Sequence, residues 1–261
     1  MFKNRAKVAL DKDGEITALE AKVTGQSIVV NTFMEGSRKN GIEHFQTEGL
    51  TDNPYTIDNN DMQIYTPNSP IQCTFFRSVG HSQTAPTIEG IIDEAAFAAK
   101  KDPILYRLNL LNDLSSIKVL EDVAKISNWK NRKKEKNVGY GVAFVKSFGT
   151  LCAQVVKVRV KGNDFKVEKV WCSVDCGFAF NPLNVENQMI SSINFGIAMV
   201  KYSEITIKNG EAEQSNFFDY RVSTISDAPE IEVSIINSGN PVGGIGEPGV
   251  PAIISAIPNA N

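Results

Sequence analysis

Alternating apolar and polar residues open the chain: Val8 and Leu10 lead into the turn Asp11-Lys12-Asp13-Gly14, and Ile16, Ala18, Ala21 and Val23 follow it. Strand side chains alternate between faces and Asp-Gly favours a tight reversal, so residues 6–23 are predicted to form a β-hairpin. Over residues 30–72 the chain is polar, with scattered Gly, Asn and Asp and no clean period, and it reads as long loops. Beyond Phe76-Arg77-Ser78-Val79-Gly80-His81 the period changes. Ile88, Ile91, Ile92, Ala95, Ala98 and Ala99 recur at helical spacing, with Glu89, Asp93 and Glu94 on the polar side, predicting an amphipathic helix. Asp102-Pro103 supplies a cap and a first-turn proline for a second helix that turns Ile104, Leu105, Leu108 and Leu111 inward. A third helix, capped by Ser115, carries Ile117, Leu120, Ala124 and Trp129. It gives way to a basic, solvated linker over 130–136, the expected boundary between a first subdomain (1–136) and a second (137–261).

In the second half Val156, Val158 and Val160 alternate with Lys157, Arg159 and Lys161. Gly162-Asn163-Asp164 then turns the chain into a partner strand over 165–174, giving a hairpin with one face in water. Asn181-Pro182 opens a helix to about Met199, with Val185, Met189, Ile193 and Ile197 on one side and Asn184, Gln188 and Ser191 on the other. Further strands are expected over 204–207, before the turn Asn209-Gly210, and over 231–236. With no regular βαβ alternation and no repeat, the fold class is α+β.

Composition narrows the function. At 261 residues and 42% apolar, the chain can bury one sizeable core or two smaller ones. A net charge of -3 without a long Lys/Arg block argues against a nucleic-acid partner. No apolar run approaches the ~20 residues that span a bilayer, and Met1 is followed by Phe-Lys-Asn-Arg, unlike an export segment. The four cysteines, Cys73, Cys152, Cys172 and Cys176, lack paired Cys-x2-Cys spacing, and only His44 and His81 could join them, so no metal ligand is assigned. Cys172 and Cys176 could pair as a disulfide, but two buried thiols at a strand end is the expectation.

Three constellations could carry chemistry. In Gly243-Gly244-Ile245-Gly246-Glu247-Pro248-Gly249-Val250-Pro251, glycines allow close backbone approach while prolines stiffen the loop. Pro248 fits the first position of a short helix through Ala252 and Ala256, placing Glu247 at its amino end as a candidate general base. The alternative is an exposed Glu-Pro turn. Asp175-Cys176-Gly177, followed by Asn181-Pro182 and Gln188, ends a strand in a glycine turn and offers free helix N–H groups and a two-way amide to a polar heterocycle. An ordinary capped helix explains the same residues. In Phe76-Arg77-Ser78-Val79-Gly80-His81 the backbone amides could meet an anionic oxygen, or Arg77 could simply pair with a surface carboxylate.

Taken in this order, these motifs resemble the xanthine dehydrogenase and aldehyde oxidase family of molybdenum hydroxylase large subunits. Arg77-Ser78-Val79-Gly80-His81-Ser82, Ile92-Asp93-Glu94, Lys101-Asp102-Pro103, Gln214-Ser215-Asn216-Phe217 and Asp219-Tyr220-Arg221 are similar to the isoquinoline 1-oxidoreductase beta-subunit type, and the likeness spans nearly the whole chain. The resemblance implies a molybdopterin-binding fold of mixed sheets with flanking helices, and a molybdenum ion held by a dithiolene with oxo and sulfido ligands, the pterin as such or as its cytosine dinucleotide. It implies hydroxylation of an N-heterocycle or aldehyde carbon with oxygen from water, Glu247 acting as base. The backbone around Arg77 and Ser78 would face the molybdenum's oxygen ligands, Gln188 and the Asp175-Cys176-Gly177 turn would hold the pterin, and Gly80, Asn181 and Gly246 would also bind the cofactor, with Ser147-Phe148-Gly149 lining the same pocket. Electrons would pass to an iron-sulfur subunit or to a haem or flavin partner on another chain, and an amino-terminal large-subunit segment would complete the site. The chain departs from the family at Gln188-Met189-Ile190-Ser191-Ser192, where the family carries glycines. A hydroxymethyl in a tight helix contact is expected to cost about 1–3 kcal/mol, and this departure, together with the family's upstream segment being absent from the sequence, motivates the alternative of a non-catalytic scaffold or degenerate fragment that binds no cofactor. The compartment stays open.

Overall fold

The opening hairpin forms and extends beyond its apolar centre: β1 (Phe2–Leu10) and β2 (Ile16–Gly25) pair antiparallel, with a bulge at Ala9/Leu10. The structure, a computed structural model, describes residues 2–71 and 73–260. A third strand, β3 (Asn60–Tyr65), joins β2 in parallel, so the stretch 30–72 is not loop alone. Only Met62 and Ile64 of β3 are half-buried, too few apolar residues to stand out; pairing with the β2 backbone makes this strand.

Three helices follow, α1 (His81–Ala98), α2 (Pro103–Asn109) and α3 (Leu114–Ile126). Asp102 caps α2 as expected, accepting the Ile104 and Leu105 N–H groups at 3.0 and 3.2 Å. The cap of α3 is Asp113 instead of Ser115, because the Asp113 carboxylate stands three residues before Ser116 and takes its N–H at 2.9 Å. Two inward assignments are also corrected: Leu105 and Ala98 are exposed, and Arg107 and Ala96 turn inward. Arg107 can do so because Glu89 and Asp93, on the polar side of α1, meet it there.

The second half builds a four-stranded sheet from β4 (Val138–Ser147), β5 (Thr150–Lys161), β6 (Asp164–Asp175) and, after the small hairpin β7 (Ile207–Lys208) and β8 (Glu211–Ala212), β9 (Glu230–Ile236). Its order is β4-β5-β6-β9, with β9 parallel to β6. One face is covered by α3, the other by α4 (Pro182–Lys201) and α5 (Gly249–Ala256). Leu151, Ala153 and Val155 of β5 therefore enter one core and Cys152, Val156 and Val158 the other. The wet face expected for this hairpin shrinks to its far end, around Val160 and Lys161. Cys172 and Cys176 are buried free thiols, and the sulfur near Cys172 is that of Cys152, at 3.8 Å. No described helix is long and apolar enough to cross a membrane.

Candidate functional site

The site is built outward from α5. Every residue of this helix is buried, and each isoleucine so enclosed contributes roughly 1.5–3 kcal/mol. The helix starts at Gly249 with Pro248 at its cap, one residue later than predicted. It lies against α4 with almost nothing between: a Cβ on Gly249 would sit 2.7 Å from Cβ of Ser192, and one on Gly196 would sit 2.2 Å from Cγ2 of Ile253. From β5, the buried Gln154 amide donates to the Gly249 carbonyl at 3.0 Å. These close contacts fix Glu247, two residues ahead of Gly249, beside the outward face of α4.

The loop before α1 closes over the same point. Ser78 N–H donates to Oε1 of Glu247 at 2.9 Å, and Ser78 Oγ donates to the Glu247 carbonyl at 2.7 Å. To do this, Ser78 and Val79 both adopt left-handed conformations, with φ of 73° and 45°, each costing about 1–3 kcal/mol for a side-chain-bearing residue. Arg77 reaches the opposite way, donating to the Gly246 carbonyl at 2.8 Å, Ser191 Oγ at 3.1 Å, Ser192 Oγ at 2.8 Å and Gln188 Oε1 at 3.4 Å. Its guanidinium carbon lies 5.5 Å from the Phe195 ring centroid. Burial lowers the Arg77 pKa, partly offset by the charge of Glu247. The alternative in which Arg77 pairs with a surface carboxylate does not hold, because serines, an amide and a carbonyl take its donors.

The serines that depart from the family pattern are thereby explained. Ser192 is fully buried without the crowding expected for it, because Gly249 across the contact has no Cβ and Arg77 occupies its hydroxyl. Ser192 and Gly249 escape a reading of isolated motifs, although Gln188, Ser191, Ser192 and Phe195 are spaced at i, i+3, i+4 and i+7 and so share one helix face.

The Asp175-Cys176-Gly177 turn braces the far end of the glycine run. Cys176 O accepts the Gly243 N–H at 3.0 Å, and a Cβ on Gly177 would meet the Asn240 carbonyl at 2.4 Å. One oxygen of the buried Asp175 accepts from Gly177 N and Ser238 Oγ, each at 2.9 Å, while the other is buried with no partner among the described residues. Phe148 O accepts the Gly244 N–H at 2.7 Å, which brings Ser147-Phe148-Gly149 to the same run. Asn181 spends its side-chain oxygen capping α4, taking Asn184 N–H at 3.2 Å, so one of the helix N–H groups expected to be free is not.

Arg77, Ser78, Gln188, Gly246 and Glu247 thus meet in one hydrogen-bonded group. Gly80 lies behind it, and Asp175, Cys176 and Gly177 support its glycine loop. Asn181 stands seven residues, two helical turns, from Gln188. Among the described residues no further donor reaches the second oxygen of Glu247, and no cluster of three His, Cys, Asp or Glu suits a metal ion. Cavities of about 670, 510 and 820 Å³ lie around Trp129, Leu108 and Phe97. None of these includes Glu247, which instead belongs to an open face.

The site thus sets a half-buried carboxylate between glycine backbone, a strained loop and the polar face of a helix, on an α+β fold of mixed sheets with flanking helices. The chain belongs to the molybdopterin cofactor-binding domain family: a family model of that description matches residues 74–229, and a second of the same description matches residues 1–110. Isoquinoline 1-oxidoreductase subunit beta of Brevundimonas diminuta is 27% identical over 96% of this chain and 33% of its own length. The membrane-bound aldehyde dehydrogenase [pyrroloquinoline-quinone] of Gluconacetobacter polyoxogenes is 26% identical over 98% of this chain and 37% of its own. The crystal structure of quinoline 2-oxidoreductase from Pseudomonas putida 86 superposes with a TM-score of 0.85 at 12% identity, covering 99% of this chain and 58% of that one. The chain therefore spans about a third of the length of these two curated relatives.

Proposed function

We propose that this chain forms the molybdopterin-facing part of an oxidoreductase that hydroxylates a carbon of an N-heterocycle or aldehyde with oxygen from water. The carrying observation is the meeting of Arg77, Ser78, Gln188 and Glu247, with one oxygen of Glu247 fixed by Ser78 N–H at 2.9 Å and the other unengaged. The residues fit such a cofactor: Gly246 has open space over its α-carbon, Asp175 keeps a buried oxygen without a partner, and α4 turns Gln188 and Ser191 outward. The molybdenum group supplies the two-electron redox chemistry when bound. Glu247 takes a proton at its free oxygen while Ser78 prevents the carboxylate from rotating away. Arg77, pinned to α4 and to Gly246, holds the loop in place, and Gln188 and the Asp175-Cys176-Gly177 turn hold the pterin, as such or as its cytosine dinucleotide. A further large-subunit segment completes the site, an iron-sulfur, haem or flavin partner takes the electrons, and residues 1–136 and 137–261 act as two subdomains. The Ser192 departure no longer favours the non-catalytic alternative, since Gly249 accommodates that side chain.

The test is Glu247→Gln in the full enzyme carrying this chain. Turnover is expected to fall by about 10²–10⁴-fold while molybdenum content, read by mass spectrometry, is unchanged. Retained turnover removes Glu247 from the mechanism, and absence of molybdenum from the wild-type holoenzyme removes the whole reading.

A further inference from the structure

We infer that Glu48 is a positioning residue for Glu247, acting through the strained Ser78-Val79 loop; this inference rests on the role proposed above for Glu247. Two successive left-handed residues do not persist unless their surroundings hold them. On the open side Ser78 is held by Glu247 itself, so a second anchor must lie behind the loop. That anchor is Glu48, only 5% exposed, whose Oε1 accepts the Gly80 N–H at 2.6 Å. Its carbonyl accepts the Thr84 hydroxyl at 2.6 Å, tying the first turn of α1 to the same residue. The fit is close, since a Cβ on Gly80 would stand 2.0 Å from the Phe45 carbonyl and 2.7 Å from Cγ of Glu48.

The carboxylate is flanked by both histidines of the chain, Nδ1 of buried His81 at 3.6 Å and Nε2 of exposed His44 at 3.5 Å. Among the described residues, neither ring nitrogen of His81 has a hydrogen-bond partner. The other side of the His81 ring packs on Phe148, with centroids 5.7 Å apart, and the Phe148 carbonyl accepts the Gly244 N–H of the glycine run. Glu48 and His81 therefore back both loops that bear on the stretch ending in Glu247, although Glu48 itself touches neither Glu247 nor the open face. A buried backbone N–H must be satisfied where it stands, and an acceptor that reaches it from behind the loop holds the backbone in an unfavourable conformation. What counts is the reach of its oxygen to Gly80.

Glu48→Gln keeps the reach and an acceptor oxygen but loses the charge; Glu48→Asp keeps the charge but retracts the oxygen by one methylene; Glu48→Ala loses both. In the holoenzyme, amide exchange over residues 76–81 is expected to accelerate on the order of ten- to a hundred-fold in Glu48→Ala, less in Glu48→Asp and least in Glu48→Gln. With an N-heterocyclic substrate, kcat should fall in the same order, by up to about 10²-fold for a misplacement near 1 Å, with KM unchanged. Equal exchange in all variants overturns the inference, as does Asp outperforming Gln, which would make charge the determinant. Should Glu48→Ala fail to fold, the Asp and Gln pair alone supplies that ordering. If Glu247→Gln keeps full turnover, the role of Glu247 fails while the exchange arm still reports on whether Glu48 holds the loop.

Discussion

Two glutamates show how differently one side chain is used in this fold. Glu89 of α1 is fully buried and fully satisfied: Tyr55 OH donates to it at 2.6 Å, Arg107 Nε at 2.9 Å and Phe144 N at 3.0 Å. Arg107 also donates to Asp93 at 2.8 Å and to the Glu89 carbonyl at 3.0 Å. Burial pushes the Glu89 carboxyl above its ordinary value against the pull of Arg107. The same burial works against the Arg107 charge, but Glu89, Tyr55 and Asp93 outweigh it, so the guanidinium is held above its ordinary value. Glu247 has one fixed oxygen and one unengaged oxygen. A carboxylate with both oxygens engaged knits α1, α2 and β4 together; one left with an oxygen unengaged remains available to chemistry.

The largest test of this contrast is Arg107→Ala, which strands Glu89 without its cation. We expect a loss of about 3–5 kcal/mol in urea unfolding of the chain; a change below about 1 kcal/mol would mean that the buried network contributes little. Next is Gly249→Ala, whose new Cβ meets Ser192 at 2.7 Å. It should cost about 1–3 kcal/mol by overpacking, and Ser192→Gly in the same chain should restore much of it; simple additivity would show that the contact does not set the α4–α5 distance.

A third carboxylate grades the comparison. Asp113, exposed at the cap of α3, is held below its ordinary pKa first by the Ser116 hydroxyl. The folded chain thus binds this proton less readily than the unfolded chain. The contribution is full above the ordinary carboxylate range and is lost as pH falls through the depressed value. Asp113→Ala should cost about 1 kcal/mol near neutrality, with the gap narrowing in acid; a gap independent of pH would assign the effect to packing. The smallest effect belongs to Glu247→Gln, expected to shift stability by no more than about 0.5 kcal/mol. A larger loss would place Glu247 with Glu89 among structural groups.

Much of the architecture is legible along the chain. The first hairpin, the caps at Asp102 and Asn181, the buried stripe Val185, Met189, Ile193 and Ile197, and the helix after Pro248 all follow from short-range periodicity and capping chemistry. The residues of the site are legible as types: a carboxylate among glycines, an arginine-serine turn, an amide on a helix.

By itself, the sequence determined the α+β class, most of the helices and strands, and which side chains could do chemistry, because those depend on neighbours within a few residues. The tertiary structure alone decided that Ser78 meets Glu247 across 169 positions, that β3 is a strand, that Glu89 points inward, and that Gly249 makes room for Ser192. Each of these is a contact between segments remote in sequence, where a residue's burial and partners are set by what another element brings to it, and local periodicity carries no information about that.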